Sequence, residues 1–305
     1  MGPQPLTYLV SHRTLLRYTG RVTLSYNEVR MRPRDRGRQR THSFSLLSSP
    51  TATPRGRIDY FGNYVHRLDV LRTHEKLEMR MEAVVENSES RRRRLHAWPT
   101  GRLDNDPRLE FMLPSPRVPL GAASALAREW IGKDDSPEAL IALAEQMRTR
   151  FRYVPGATTV ESTIDEFIEG GVGVCQDFAH LFIAMVRSAG WPVRYVSGYL
   201  GPSGEEKVAI GESHAWAEIC SSDGRWVGID PTNGSFTGTH HLVLAVGRDY
   251  GDVAPHRGVF FGAGTGLRPE VTVRVSLMPP QRVTLVQRGA ELRYQHEQQQ
   301  QRSPG

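Results

Sequence analysis

The feature that most constrains this chain is the run from Gly170 to Gly190, in which a glycine-rich loop leads into an apolar stretch that starts with a cysteine. Apolar residues recur after Cys175 at the spacing of a helix with one buried face. They are Phe178, Ala179, Phe182, Ile183, Met185, Val186 and Ala189. Gly190 and Pro192 predict where this helix ends. Cys175 is therefore expected in the first turn, where unpaired N–H groups and the helix dipole favour a thiolate.

Taken alone, this run leaves two alternatives open for Cys175, a nucleophile or a residue that only packs. Residues 213–219 and 225–232 add a second signal, because they read as two strands joined by a Ser-Ser-Asp-Gly turn. A four-residue loop pairs Cys220 with Arg225 and predicts, to within one or two positions, that His214 and Asp230 are cross-strand neighbours.

A carboxylate at Asp230 can accept the second N–H of the His214 imidazole, fix its tautomer and stabilise its cation. If Cys175 docks against this hairpin, the chain has a nucleophile, a base and a group that orients the base. The alternative is a hairpin whose histidine and aspartate bond only each other.

Three segments carry a resemblance to a known family: GVCQDFAHL, SHAWAE and GRWVGIDPTNG, in that order. They resemble the Cys, His and Asp blocks of the transglutaminase-like superfamily, which has a papain-like fold. Residues 247–258 resemble the tract that follows the core in bacterial members, and residues 59–63 resemble their N-terminal β domain. The resemblance runs from about residue 8 to residue 262 and implies a catalytic triad.

The triad implied by the resemblance is Cys175, His214 and Asp230. We expect a cysteine-dependent acyl-transfer enzyme that acts on amide or peptide bonds through a thioester, most simply an amidase or peptidase. A protein transglutaminase with an amine acceptor is one alternative, and a non-catalytic peptide-binding protein on the same fold is another. The expected partner is a peptide, protein or small amide substrate.

The expected fold class is α+β. Short alternating strands between residues 7 and 85 predict an N-terminal all-β, sandwich- or barrel-like domain over residues 1–105. The resemblance implies a papain-like transglutaminase core over residues 106–290, in which the cysteine helix packs on an antiparallel sheet. Residues 270–287 read as two alternating strands, and residues 291–305 as a disordered tail.

Four other residues receive an interpretation. Tyr153 is a candidate oxyanion donor, although the backbone N–H of Cys175 is the safer one. Asp177 is expected to cap the helix or bond nearby loop amides. Trp216 shares a strand face with His214, and it is expected either to shield the site from water or only to pack. Cys220 is expected to be structural, because it lies six residues beyond His214 on one strand.

No metal or cofactor is expected. A zinc site built from Cys175, His180 and His214 would need a fourth ligand, and no Cys-x-x-Cys pair exists to supply one. The acidic loop typical of EF-hand calcium sites is absent from the sequence as well.

The net charge of +6 is unevenly placed, since residues 1–105 hold 20 Lys and Arg against 10 Asp and Glu. Such asymmetry can mark a nucleic-acid binder. However, 36 of the 39 basic residues are arginines, mostly scattered and without a recognition motif, so no nucleic-acid partner is expected. Two cysteines fit a reducing compartment, and no apolar run fits a signal peptide or membrane span. We therefore predict a cytoplasmic protein without membrane association.

Overall fold

The computed structural model describes residues 5–37, 39–88, 107–131, 137–221 and 224–279. Antiparallel sheets and α-helices both occur, and the predicted α+β class is confirmed. The predicted domain boundary near residue 105, the second C-terminal strand (282–287) and the tail (291–305) lie outside the described residues.

The strands are β1 (Leu6–Val29), β2 (Arg40–Ser49), β3 (Arg55–Ile58), β4 (Tyr64–Val70), β5 (His74–Asn87), β6 (Arg152–Tyr153), β7 (Val172–Gly173), β8 (Val193–Leu200), β9 (Val208–Gly211), β10 (His214–Cys220), β11 (Trp226–Asp230), β12 (Ser235–Phe236), β13 (His241–Gly247), β14 (His256–Gly262) and β15 (Glu270–Leu277). The helices are α1 (Gly121–Trp130), α2 (Pro137–Arg150), α3 (Ile164–Gly170), α4 (Cys175–Ser188) and α5 (Tyr250–Val253).

The first sheet has eight strands and is organised around β1. The first half of β1 pairs with β5 and β15, and its second half pairs with β4 and β14, so the sheet curls along this one long strand. Alternate residues are buried on β1 and β5, as a strand with one core-facing side requires; examples are Tyr8 and Val10, and Met79 and Met81.

Three strands of the first sheet come from late in the chain. β14 and β15 pair with β1, and β9 pairs with β15. The sequence analysis assigned these residues to the region 106–290, because local patterning does not reveal which strand pairs with which. The first sheet therefore reaches to within a few residues of His214.

The second sheet has five strands in the order β12-β11-β10-β8-β13. α4 packs on β10 and β8 and is buried along most of its length, with Phe178, Phe182 and Met185 almost without solvent exposure. Gly190 takes a left-handed φ of 83° where the helix ends, as the sequence predicted. The expected arrangement, a cysteine helix on an antiparallel sheet, is present.

The hairpin of β10 and β11 differs from the prediction by one residue. Cys220 pairs with Trp226 rather than with Arg225. The reason is a tighter turn, in which Ser221 N–H bonds the Arg225 carbonyl at 2.7 Å and Gly224 takes a left-handed φ of 78°. His214 and Asp230 become diagonal rather than directly opposed neighbours.

Side-chain amides of the first sheet and its loops hold β13, which lies at the edge of the second sheet. Gln39 accepts from the Val243 N–H and donates to the Val243 carbonyl, both at 2.8 Å. Asn63 makes the same pair of bonds with Val246, both at 2.9 Å. The amides thereby make the backbone hydrogen bonds that a neighbouring strand would otherwise make at this edge.

A buried ionic cluster also joins the two sheets. Glu218 on β10 accepts from Arg36 at 2.7 Å and from Arg194 at 2.7 Å, and the Arg194 guanidinium lies 3.9 Å from the centroid of the Trp226 ring. Burial raises the pKa of Glu218, but the charges and hydrogen bonds of the two arginines outweigh it and lower that pKa to about 2.

None of the described helices combines the length and the apolar content that a bilayer crossing requires.

Candidate active site

Cys175 is the first residue of α4 and is partly exposed. Asp177, two residues further on in the same turn, accepts from the Val174 N–H at 2.7 Å and from the Thr158 hydroxyl at 2.5 Å, so its predicted capping role is confirmed. A Cβ on Gly173 would lie 2.7 Å from the same Asp177 carboxylate. The glycine of the preceding loop is thus required for this cap, which fixes where the helix begins.

The three residues singled out from the sequence lie together. Cys175 lies close enough to the His214 imidazole to raise the pKa of that ring, and its sulfur is 4.0 Å from the carbonyl oxygen of Ser213, the residue before His214. His214 Nε2 lies 2.8 Å from Asp230 Oδ2. Since Nε2 faces the carboxylate, Nδ1 is the ring nitrogen left for the sulfur.

The site is strongly polarised. Burial alone lowers the pKa of His214, but hydrogen bonds and charges from Asp230 and Cys175 outweigh it and raise that pKa to about 10. Burial likewise raises the pKa of Asp230, yet its histidine partners hold it well below the usual range. At neutral pH the site therefore has an imidazolium hydrogen-bonded to a carboxylate, with the Cys175 sulfur close to the same ring.

Asp230 is fully buried and is held by the turn that follows it. Its Oδ1 accepts the backbone N–H groups of Thr232 at 3.0 Å and Asn233 at 3.2 Å, and its Oδ2 accepts from the Asn233 side chain at 2.7 Å. These bonds give the Asp-Pro-Thr-Asn tract a structural role, because the turn after Asp230 supplies three hydrogen-bond donors to the Asp230 carboxylate. Asp230 is consequently fixed in direction before His214 binds it.

A second histidine, which sequence reasoning missed, also contacts this carboxylate. His241, the first residue of β13, places Nε2 3.1 Å from Asp230 Oδ2 and is only 4% exposed. Sequence patterning indicates no catalytic role for His241. A polar residue at the start of an otherwise apolar strand was the available signal, but its partner depends on long-range strand pairing.

The other predicted residues lie near the site or away from it. Tyr153 is half exposed, and burial together with the charges of Cys175 and Glu212 raises its pKa, which places it close to the sulfur. Trp216 is buried and packs its ring 6.0 Å from that of His214. Cys220 is fully buried at the far end of β10, in keeping with its expected structural role.

Gly198 on β8 allows Trp216 to occupy this position. Gly198 pairs directly with His214, and a Cβ on it would lie 2.2 Å from the Trp216 ring and 2.3 Å from the Leu242 carbonyl oxygen. The residue of β8 that the Trp216 ring crosses must therefore have no side chain. Sequence patterning placed this glycine in a buried strand without indicating what it accommodates.

Among the described residues, one cluster of His, Cys, Asp or Glu side chains brings at least three potential metal-ligand atoms together. It consists of His214, Asp230 and His241, whose ligand atoms lie within 4.8 Å of one another. The hydrogen bonds do not fit a metal there. His241 Nδ1 accepts the Gly238 N–H at 3.0 Å, so its proton is on Nε2, the nitrogen that a metal would need. The cluster is a hydrogen-bonded network around one carboxylate.

Comparisons with known proteins identify two regions. The family described as Transglutaminase-like superfamily matches residues 124–231, and the one described as Bacterial transglutaminase-like N-terminal region matches residues 8–86. The first includes Cys175, His214 and Asp230, and the second covers strands of the first sheet.

Relatives and solved structures extend this likeness. An uncharacterized protein of Mycobacterium leprae is 35% identical over 264 residues, which cover 84% of this chain and 93% of that protein. The protein-glutamine gamma-glutamyltransferase of Pseudomonas aeruginosa is 30% identical over 154 residues, 46% of this chain and 23% of that protein. A proposed cysteine protease of Cytophaga hutchinsonii has a TM-score of 0.72 at 20% identity, covers 91% of this chain and 99% of its own, and shows the shared fold.

Proposed function

Because this chain belongs to the transglutaminase-like superfamily, we propose that it is a cysteine-dependent acyl-transfer enzyme whose catalytic residues are Cys175, His214 and Asp230. The observation that carries this proposal is the mostly buried imidazole of His214, whose Nε2 lies 2.8 Å from Asp230 Oδ2. Cys175 lies beside it, with its sulfur 4.0 Å from the carbonyl oxygen of the preceding residue, Ser213. A nucleophile, an acid–base group and an orienting carboxylate are the parts that such a reaction requires.

The acylation half of the reaction follows from this geometry. The Cys175 thiolate attacks the carbonyl carbon of an amide, a C–S bond forms, and the carbonyl π electrons move to oxygen. When the tetrahedral intermediate collapses, the C–N bond breaks and the His214 imidazolium gives its proton to the departing nitrogen. The products are an amine and a thioester, and Asp230 stays ionised throughout.

The deacylation half uses the same groups in reverse. Neutral His214 takes a proton from the acceptor while the acceptor oxygen or nitrogen attacks the thioester carbon. The C–S bond then breaks and the sulfur leaves as the thiolate, restoring the ion pair with the protonated imidazole. The backbone N–H of Cys175, in the first turn of α4, is the proposed donor to the oxyanion, with the Tyr153 hydroxyl as a neighbouring second donor.

We favour water as the acceptor, which makes the protein an amidase or peptidase. The support is exposure, because Cys175 is partly open to solvent, Tyr153 is 47% exposed and Glu212 beside them is exposed. A site that admits solvent does not protect a thioester from hydrolysis. The proposed substrate is a peptide, protein or small amide.

A protein transglutaminase is the second candidate. It is favoured by the likeness to the protein-glutamine gamma-glutamyltransferase of Pseudomonas aeruginosa, although that likeness covers 46% of this chain. The non-catalytic binding alternative is disfavoured because all three reactive side chains are present and lie together, with His214 bonded to Asp230 and Cys175 beside them.

A cytoplasmic location remains part of the proposal, on the support of a cysteine count of only two. We propose no nucleic-acid partner, because several arginines of the basic N-terminal half have internal partners. Arg30 pairs with Asp59, and Arg36 pairs with Glu218.

The test is a screen of peptide-amide libraries that reads released ammonia, cleaved peptide and amine incorporation together. The proposal predicts turnover by the wild type, loss of that turnover in Cys175→Ala, and retention in the matched control Cys220→Ser. Amine incorporation above hydrolysis would favour the transglutaminase. Turnover that survives in Cys175→Ala would exclude the mechanism.

A further inference from the structure

His241 is placed on Asp230 by packing on several sides. It begins the edge strand β13, is 4% exposed, and lies edge-on to the Trp216 ring, with centroids 5.1 Å apart and planes at 83°. Its carbonyl oxygen accepts from the Asn87 side chain at 3.0 Å. Asn87 belongs to β5, so the first sheet helps to fix the strand that carries this histidine.

The hydrogen bonds of His241 define its protonation state. The Gly238 backbone N–H can only donate, and it lies 3.0 Å from Nδ1, which is therefore an acceptor. The ring proton is on Nε2, 3.1 Å from Asp230 Oδ2. His241 is thus a neutral imidazole that donates to the carboxylate, unlike His214, whose second nitrogen faces the thiol.

We propose that His241 is a positioning residue for the acyl-transfer reaction: its Nε2–H holds Asp230 Oδ2 in the direction in which that oxygen bonds His214. This inference rests on the proposed function of Cys175. His241 does not touch the sulfur in this arrangement and acts only through the carboxylate.

The physical reason lies in the geometry of one oxygen. Asp230 Oδ2 receives side-chain donors from His214, His241 and Asn233, at 2.8, 3.1 and 2.7 Å. Asn233 belongs to the turn that directly follows Asp230, whereas His241 belongs to β13, at the other edge of the sheet. Without the β13 donor, this oxygen loses one of the three side-chain donors that fix its direction, and the ion pair that keeps His214 protonated weakens.

Two variants separate the donor from the shape of the side chain. His241→Leu removes the ring and every donor at similar volume, whereas His241→Gln places an amide N–H near the position of Nε2. Both variants lose the ring nitrogen that accepts from Gly238, so a difference between them reports the bond to Asp230 alone.

The readout is the rate at which iodoacetamide alkylates Cys175 at pH 6, measured by mass spectrometry on the full chain, which needs no substrate. We expect the Leu variant to react roughly tenfold to a hundredfold more slowly than the wild type, and the Gln variant to recover most of that loss. With an amide substrate from the library screen, the same pattern should appear in kcat while KM changes little. Circular dichroism and thermal unfolding identify a variant that fails to fold. If the Leu variant fails, His241→Phe, which keeps a ring but has no ring nitrogen, takes its place in the comparison with the Gln variant.

The possible results distinguish the inference about His241 from the proposed function of Cys175, on which it rests. A Leu variant that reacts like the wild type, or a Gln variant as slow as the Leu variant, overturns the role of His241 and leaves the proposed function standing. A wild type that reacts no faster than His214→Ala overturns the proposed function instead. A change in the wild-type rate on adding EDTA would show a metal on this cluster and also overturn the proposal.

Discussion

Asp230 and Glu218 are both buried carboxylates, and each accepts hydrogen bonds from two basic side chains. The two sites differ in which basic residue supplies these bonds. Asp230 is bonded by two histidines and Glu218 by two arginines. Histidine gains and loses its proton near neutral pH, whereas arginine stays protonated. The same degree of burial therefore gives a reactive network in one place and a fixed ionic contact in the other.

The two networks share a strand. His214 and Glu218 lie four residues apart on β10, on the same face, because side chains alternate along a strand. The network of His214 ends beside the partly exposed Cys175. The network of Glu218 ends in its bonds with arginines, one of which is Arg36 from the loop between β1 and β2. The His214 end of β10 thus contributes to the candidate active site, and the Glu218 end attaches the two sheets to each other.

The largest difference should appear on removing the charge of Asp230. Asp230→Asn keeps the shape of the side chain but cannot stabilise the His214 cation. We expect turnover of an amide substrate to fall by about 10⁴-fold. The check is kcat/KM, with thermal unfolding as the control for folding. An asparagine variant within tenfold of the wild type would contradict the reactive role of this network.

The matched change in the other network should act on stability. Glu218→Gln leaves the buried Arg194 and the partly buried Arg36 without their shared carboxylate, and we expect the free energy of unfolding to fall by about 3–5 kcal/mol. Urea unfolding measures this loss. Alkylation of Cys175 in the protein that remains folded should proceed at the wild-type rate. A slowed alkylation would show that the two networks are coupled.

The networks should also lose their stabilising effect at opposite ends of the pH range. The folded pKa of Glu218 is about 2, below its usual value near 4.3, so its contribution is present above about pH 4.3 and lost as the pH falls toward 2. The folded pKa of His214 is raised to about 10 from about 6.5, so its contribution is present below about pH 6.5 and lost as the pH rises toward 10.

Unfolding free energies of wild type, Glu218→Gln and His214→Gln, measured across pH, check this opposition. The difference between wild type and Glu218→Gln should shrink only on the acid side. The difference for His214→Gln should shrink on the alkaline side, where the wild-type imidazolium loses its proton. Two parallel curves would contradict the assigned charges.

The smallest effect is expected at the amide contacts between the sheets. Gln39→Leu removes both side-chain bonds to the Val243 backbone, and leaving these buried groups unpaired should cost about 1–3 kcal/mol of unfolding free energy. Leu47→Ala, at a residue that is 67% exposed in the same sheet, serves as a control and should change stability little. Equal effects of the two changes would mean that the amide contact adds nothing.

Local sequence signals were sufficient for the parts of the site that lie close together in the chain. Helical spacing, the glycine loop and Gly190 predicted α4 almost to the residue. The hairpin predicted that His214 and Asp230 are neighbours, and its register differed by one because Gly224 closes a shorter turn. Backbone conformation of a single residue decided that difference.

What the sequence did not reveal depends on pairing between distant segments. His241 reaches Asp230 because β13 pairs with β8, and Glu218 meets Arg36 from 182 positions earlier in the chain. The addition of β14 and β15 to the first sheet is of the same kind. Strand periodicity identifies which faces are buried, but it contains no information on the neighbouring strand.

The most direct test of the central claim is the rate at which iodoacetamide alkylates Cys175 at pH 6, with the buried Cys220 of the same molecule as an internal reference. An ordinary thiol is little ionised at this pH. If the His214 cation keeps the sulfur ionised, Cys175 should react at least roughly tenfold faster than in His214→Ala, and Cys220 should stay unlabelled until the protein unfolds. Equal, slow labelling of both cysteines, unchanged by His214→Ala, would contradict the account.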